Sequence, residues 1–218
     1  MNILPNVSPE VYSTRLIDRL AFAHDASLYR VVPDAVVRPK NEDDIKSLLR
    51  HGNDTKTPIT FRTAGTSLSG QAVGSGIVVE TVRDWKKWTI LDNGEAIRLQ
   101  PGVIGGHANL FLSNYNRKIG PDPASINSCM IGGIIANNSS GMVCGVKNNA
   151  YHTLRSIRFI TSDGKTYDTS QSEDYNRFLV EQNSLADGLQ QCKRNVIDNP
   201  DLSSKIREKY KIKNTMGY

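Results

Sequence analysis

Apolar residues fall along the first eighty positions in two patterns. Some recur every three or four residues, the period of a helix face, and others form short unbroken runs of the kind a buried strand shows. Tyr12, Leu16 and Leu20 follow the helical pattern. Ser8-Pro9 supplies a cap followed by proline at the first helical position, so a helix is expected from there. Val36 and Val37, ahead of Arg38-Pro39, read as a short strand ended by proline. Asn41 then caps a second helix whose first turn carries Glu42, Asp43 and Asp44, where the helix dipole favours anions. Its apolar stripe is Ile45, Leu48 and Leu49, and Gly52 is expected to close it. Ile59 to Phe61 and Ile77 to Val79 are two further strand runs, which makes this half a small α/β unit.

Beyond Trp85 the pattern changes to hairpins. Thr89 to Leu91, a turn at Asp92-Asn93-Gly94, and Ala96 to Leu99 form the first, and a helix is expected from His107 to Asn116. Ser156 to Thr161, a turn at Asp163-Gly164, and Thr166 to Asp168 form the second. The last forty or so residues read as helical, with Leu185, Leu189, Cys192 and Val196 on one stripe. The fold class expected is α+β: a small α/β subdomain, then a mainly antiparallel sheet flanked by helices.

Composition narrows the function classes. At 218 residues and 38% hydrophobic, the chain can bury a core of one domain or two subdomains. It has no apolar run of 18 residues and no basic-then-apolar leader, so neither a membrane span nor a secretion signal is expected. Its three cysteines are widely spaced with no C-x-x-C pair, which disfavours a disulfide framework or a metal site and points to a reducing, cytoplasmic setting. The net charge is +5, and Lys193 to Lys213 holds seven basic residues against three acidic ones. A solvated helix face is the common meaning of such a run. It leaves room for peripheral contact with an anionic inner-membrane surface, and nucleic acid is not an expected partner.

The most informative stretch is Arg62 to Gly70, RTAGTSLSG, between two strand runs. A loop so rich in Gly, Ser and Thr leaves backbone N–H groups without ladder partners and lets them approach a ligand closely. Arg62 and the hydroxyls of Thr63, Thr66, Ser67 and Ser69 add charge and donors suited to a phosphate. The loop is neither G-x-G-x-x-G nor a P-loop, and a strand follows it rather than a helix, which disfavours those nucleotide folds. A second segment crowded with small and polar residues runs from Gly120 to Gly145, GPDPASINSCMIGGIIANNSSGMVCG. Two such segments in different halves of the chain imply a ligand long enough to reach both.

With Val37-Arg38-Pro39-Lys40, Gln100-Pro101-Gly102-Val103, Gly120-Pro121-Asp122-Pro123 and IGGIIANNSSG, these residues resemble the flavin-binding domain of the vanillyl-alcohol oxidase and p-cresol methylhydroxylase superfamily. The likeness is nearest to its glycolate oxidase and D-lactate dehydrogenase branch. NNSSGMVCG followed by Asn149, Tyr151, His152 and Thr153 is similar to the large members that carry a C-terminal iron–sulfur region. The resemblance covers about Ala35 to Tyr218. It implies 35–218 as a two-subdomain FAD-binding domain, divided into 35–84 and 85–218 and incomplete at its C-terminus; residues 1–34, by their apolar spacing, are expected as an N-terminal helical segment ahead of it.

By the same resemblance, Arg62, Thr63, Ala64, Gly65, Thr66, Ser67, Leu68, Ser69, Gly70 and Gln71 hold the FAD pyrophosphate. Pro121, Asp122, Ser125, Ile131, Gly132, Gly133, Ala136, Asn137, Ser139 and Gly141 contact the ribityl chain and isoalloxazine ring, and Ile157 meets the adenine side. Thr66-Ser67 stands where some relatives carry a tethering histidine, so FAD is expected to be non-covalent. Cys144 is expected to be a small packed residue rather than a tether, and His152 a structural histidine. The implied reaction is oxidation of a small 2-hydroxy acid, D-lactate or glycolate type, with hydride passing to flavin N5 and on to an acceptor the sequence does not name. The catalytic base and carboxylate clamp are expected outside these residues, as is any iron–sulfur cluster, so the chain is expected to be a fragment inactive alone. The competing readings are a flavoenzyme similar to UDP-N-acetylenolpyruvoylglucosamine reductase, and a non-catalytic module binding a phosphate-bearing ligand.

Overall fold

The unbroken apolar runs form the centre of a four-stranded sheet. The computed structural model describes residues 10–143 and 145–212. Strands β2 (Ala35–Val37) and β4 (Ile77–Glu80) lie parallel, with Val36 beside Val78, and every residue of both is buried. Parallel strands covered on both faces carry apolar side chains at every position, so no alternation marks them. Strand β3 (Ile59–Arg62) runs parallel to β4, and β1 (Tyr12–Ser13) pairs antiparallel with β2. The order is β1-β2-β4-β3.

Helix α2 (Glu42–Thr55) crosses from β2 to β3. Asn41 Oδ1 accepts from the amides of Asp43 at 2.9 Å and Asp44 at 3.0 Å, as its place before the acidic first turn predicts. Leu48 packs with Val11, Ala35, Val37, Ile77 and Val79 in the core. The helix passes Gly52 and ends at Thr55, with Lys56 left-handed at φ 57°. Gly52 is buried, and a Cβ on it would overlap Ile59 Cδ1. It is there for close packing on β3 and does not stop the helix.

The expected N-terminal helix is only partly present. Ser8 and Pro9 lie outside the described residues, Tyr12 pairs with Val37 in β1, and the helix shrinks to α1 (Leu16–Ala21), with no buried residue. Completing a sheet edge decides the state of Tyr12 over its helical spacing from Leu16 and Leu20.

The second half holds two antiparallel ribbons. Strands β5 (Trp88–Leu91) and β6 (Ala96–Leu99) form the first, joined by a 3-10 turn at Asp92–Gly94. Helix α3 (Gly105–Leu112) follows, two residues ahead of its expected start, and runs into a 3-10 turn at Ser113–Tyr115. Its Phe111 stacks on Trp88 with centroids 4.1 Å apart. Helices α4 (Ile131–Ala136) and α5 (Ala150–Thr153) lie within and after the second small-residue segment. Strands β7 (Arg158–Ile160) and β8 (Thr166–Asp168) form the second ribbon, and helix α6 (Ser172–Glu181) covers it through a Phe159, Tyr167, Phe178 cluster. Among the described residues the ribbons are separate two-stranded sheets, connected by an Arg98–Asp168 ion pair at 3.6 Å. Helices α7 (Asn183–Ile197) and α8 (Pro200–Lys209) extend from there. The expected stripe on α7 is largely uncovered, with Leu185 48% and Leu189 57% exposed. No helix among the described residues is long and apolar enough to cross a membrane.

Candidate functional site

The loop after β3 leaves a row of donors open. The backbone N–H groups of Ala64, Gly65, Thr66, Ser67, Leu68 and Gly70 make no hydrogen bond among the described residues. Ser69 N–H and Gln71 N–H both donate to Ser67 Oγ, at 3.1 and 3.3 Å, and Ser67 Oγ donates to Gln71 Oε1 at 3.0 Å. The Ser67 hydroxyl therefore shapes the turn from inside. Gly65 stands at φ 69°, in the left-handed region that glycine enters without strain, and a Cβ there would lie 2.5 Å from Arg62 Nη2.

Arg62 sits under the loop. Its Nη1 donates to the carbonyl of His24 at 2.5 Å and, at 3.4 Å, to those of Phe22 and Ala72. Burial pushes the guanidinium below its ordinary pKa, and the charges of Asp25 and Glu80 oppose that shift. The arginine is a brace for the loop backbone as well as a source of positive potential beneath it.

The second segment closes on the first at α4. Ile131 N–H donates to Val103 O and Gly132 N–H to Pro101 O, both at 2.9 Å, which presses the first turn of α4 against the end of β6. A Cβ on Gly132 would come within 2.9 Å of both Pro101 Cβ and Thr63 Cγ2, and one on Gly133 within 3.4 Å of Thr63 Oγ1. Thr63 is thus a neighbour of Gly132 and Gly133, which lie 69 and 70 residues further along the chain. Asp122 bridges to Gly141, its amide donating to Ser140 O at 2.7 Å and its Oδ2 accepting from Val143 N–H at 3.2 Å. Pro121 is buried beside it, and the buried Ser140 hydroxyl has no hydrogen-bond partner among the described residues.

Other expected residues shape the backbone. Ser125 O accepts from the amides of Ser128 and Cys129, both at 2.7 Å, and burial pushes the Cys129 thiol up. Ala136 ends α4, Asn137 N–H donates to Gly133 O, and Ser139 O accepts from Ala150 N–H. Ile157 is bonded to Thr169 at the base of the second ribbon, and no hydrogen bond joins it to either loop. His152 Nδ1 lies 2.7 Å from Val146 O, as a structural histidine would. Cys144 lies outside the described residues. Residues 22–29, which the sequence did not single out, lie beneath the loop; their partners are 38 to 47 positions away and leave no local signal. No cluster of three or more His, Cys, Asp or Glu fit for a metal occurs among the described residues.

A family model described as the FAD binding domain matches residues 33–170, more than half of the chain. The chain belongs to this FAD binding domain family. Glycolate oxidase subunit GlcD of Escherichia coli is 33% identical over 141 residues, 64% of this chain and 28% of that protein. D-2-hydroxyglutarate dehydrogenase of the same organism is 28% identical over 161 residues, 72% of this chain and 16% of that protein. D-lactate dehydrogenase of Archaeoglobus fulgidus is 29% identical over 154 residues, 66% of this chain and 34% of that protein. The chain spans about a third or less of the length of these curated relatives.

Two solved structures bear on the fold of this FAD binding domain. Alkyldihydroxyacetonephosphate synthase superposes with a TM-score of 0.63 at 18% identity, over 78% of this chain and 35% of that one. An oxidase of 6-hydroxy-D-nicotine from Arthrobacter nicotinovorans gives 0.60 at 20% identity, over 68% and 32%. The mixed helix-and-sheet architecture expected from the sequence is the one these structures share. The residues present fit the cofactor in one respect: the amides after β3 that lack partners among the described residues suit a diphosphate.

Proposed function

We propose that this domain holds FAD non-covalently, as the cofactor module of a dehydrogenase acting on a small 2-hydroxy acid of the D-lactate or glycolate type. The observation that carries the reading is the set of six amides between Ala64 and Gly70 that have no hydrogen-bond partner among the described residues. Amides and a half-buried arginine beneath them are the donor set that a diphosphate takes up without competing carboxylates on the loop itself. The names of the relatives, oxidase and dehydrogenase of glycolate, D-lactate and D-2-hydroxyglutarate, support the substrate class.

In this reading each residue has a bounded task. The amides of Ala64 to Gly70 bind the diphosphate, Arg62 fixes the loop and offsets its charge, and Ser67 holds the turn. Thr63, Gly132 and Gly133 form a side-chain-poor junction where the two halves meet, and the Asp122–Gly141 bridge keeps the second segment against it. Bound flavin supplies a hydride acceptor; the chain's own share is to orient that acceptor and exclude water around it.

The test is direct. Purified chain mixed with FAD and passed through a desalting column is expected to keep a yellow absorbance band and to release it on heating. A colourless eluate at every FAD concentration would defeat the reading. Retention of colour after denaturation would defeat only the non-covalent part.

A further inference from the structure

The cofactor loop does not support itself. Ala26 N–H donates to Gly65 O at 3.0 Å, Arg62 Nη1 reaches back to His24 O, and Asp25 Oδ2 accepts from Ala72 N–H at 3.3 Å. Asp25 Oδ1 accepts from Ser27 N–H at 2.9 Å and Ser27 Oγ at 2.5 Å, which fixes the carboxylate. The Tyr29 ring lies so close to Gly70 that a Cβ there would be 2.7 Å from Cδ2. The Phe22 ring has the Arg62 guanidinium 5.3 Å from its centroid and that of Arg38 at 5.4 Å, and Arg38 pairs with Glu80 on β4 at 3.3 Å. Both ends of the loop are therefore tied to one eight-residue segment that precedes the family match at residue 33.

Asp25 is informative because of its sign. Burial works to raise its pKa, yet the hydrogen bonds from Ser27 and Ala72 and the Arg62 charge outweigh it and keep the carboxyl below its ordinary value. An anion under an anion-binding loop opposes the ligand electrostatically. Its position is accounted for by the acceptor it provides, which holds Ala72 and so the descending end of the loop. A loop pinned at both ends loses less conformational freedom when a ligand arrives, and preorganisation of this kind appears as affinity.

We infer that residues 22–29 are a clamp that sets the shape of the cofactor loop, with Asp25 as its positioning residue, so that FAD affinity depends on a segment outside the matched domain. This rests on the reading of the loop as a diphosphate cradle. The experiment uses the full 218-residue chain and two readouts: FAD affinity by quenching of flavin fluorescence, and subtilisin nicking within residues 62–72 without FAD. Asp25→Ala is expected to weaken FAD binding about tenfold, the scale of one charge-assisted hydrogen bond, and to speed nicking. Val36→Ala, in the sheet core, is expected to lower the melting temperature without changing FAD affinity. Where Asp25→Ala does not fold, Asp25→Asn, which keeps one acceptor oxygen, is expected to show the same effects at smaller size. FAD affinity and nicking both at wild-type values in the Asp25 variants would overturn the clamp. So would a loss of affinity that merely tracks melting temperature across all three variants. Failure of the wild-type chain to bind FAD would instead defeat the cofactor reading, and faster nicking in Asp25→Ala would still separate the two failures.

Discussion

Gly141 carries its function through the side chain it lacks. Its φ of 144° is one L side chains rarely adopt, and a Cβ would overlap Asp122 Oδ1. Gly141→Ala must therefore strain the backbone or push Asp122 off its bridge and away from Val143 N–H. Strain of this kind costs about 1–3 kcal/mol, and a chain of this size melts about 2–4 °C lower per kcal/mol. A thermal melt should thus show a fall of several degrees, and an unchanged midpoint would mean that the Asp122 backbone moves off its bridge to Gly141 at no cost, since a Cβ would overlap its carbonyl as well as its side chain. The same scale explains what the sequence disclosed of the site. Arg62 to Gln71 and Gly132-Gly133 stood out in the sequence as candidates because small residues in a row have few other uses. Asp25, Phe22 and Tyr29 were not, because ordinary residue types acquire their role only when the chain returns under the loop, as Asp25 does to Ala72 from 47 positions away.

Helix α2 carries both a local cap and a tie to the second half of the chain. Its cap is local, so Asn41→Ala is expected to lower stability by about 1 kcal/mol, read in a urea titration, with FAD binding unchanged. Its first turn also makes the long-range tie, Glu42 to Arg158 of β7, bidentate with both bonds at 2.8 Å. The Arg158 hydrogen bond is the main cause that holds the Glu42 carboxyl below its ordinary pKa. A carboxylate with a lower pKa folded than unfolded stabilises above its unfolded value and loses that contribution as pH falls through the folded one. Both side chains are partly exposed, so the pair is worth about 0.2–1 kcal/mol. Urea titrations should show wild type ahead of Glu42→Gln at pH 7, with the gap closing as pH falls through the lowered folded-state value; a gap that persists once the carboxyl is protonated would assign the difference to packing. Elements with such local signals were legible: α2 from Asn41, β2 and β4 from their valine runs, and the ribbons from Asp-Asn-Gly and Asp-Gly. Strand β1 was not, since two residues become a strand only through Val36 and Val37 beside them. The end of α2 was misread at Gly52, where the demand of Ile59 for space outranks the usual meaning of glycine as a stop.

At the scale of the whole molecule, binding and stability are linked, and the link tells apart the two ways this domain can hold its cofactor. A ligand that binds only the folded state at a hundred times its Kd stabilises by about 2.7 kcal/mol. In a chain of 218 residues that corresponds to a rise of roughly 5–10 °C in melting temperature. If the unpaired amides of Ala64 to Gly70 are the anchor, stabilisation should follow the diphosphate: FAD should raise the midpoint fully, ADP in part, and riboflavin, which has the ring but no phosphate, hardly at all. If the glycine face of α4 and the Asp122–Gly141 bridge dominate instead, riboflavin should approach FAD and ADP should do nothing. The first order is expected, because the loop presents six unsatisfied donors whereas Ile131 and Gly132 already have theirs committed to Val103 and Pro101. Salt sharpens the comparison: an anion held by amides over a half-buried arginine loses affinity as ionic strength rises, and a stacked ring does not. Melting curves with the three ligands at low and high salt would decide it, and a riboflavin shift equal to that of FAD at both would remove the loop from its assigned role.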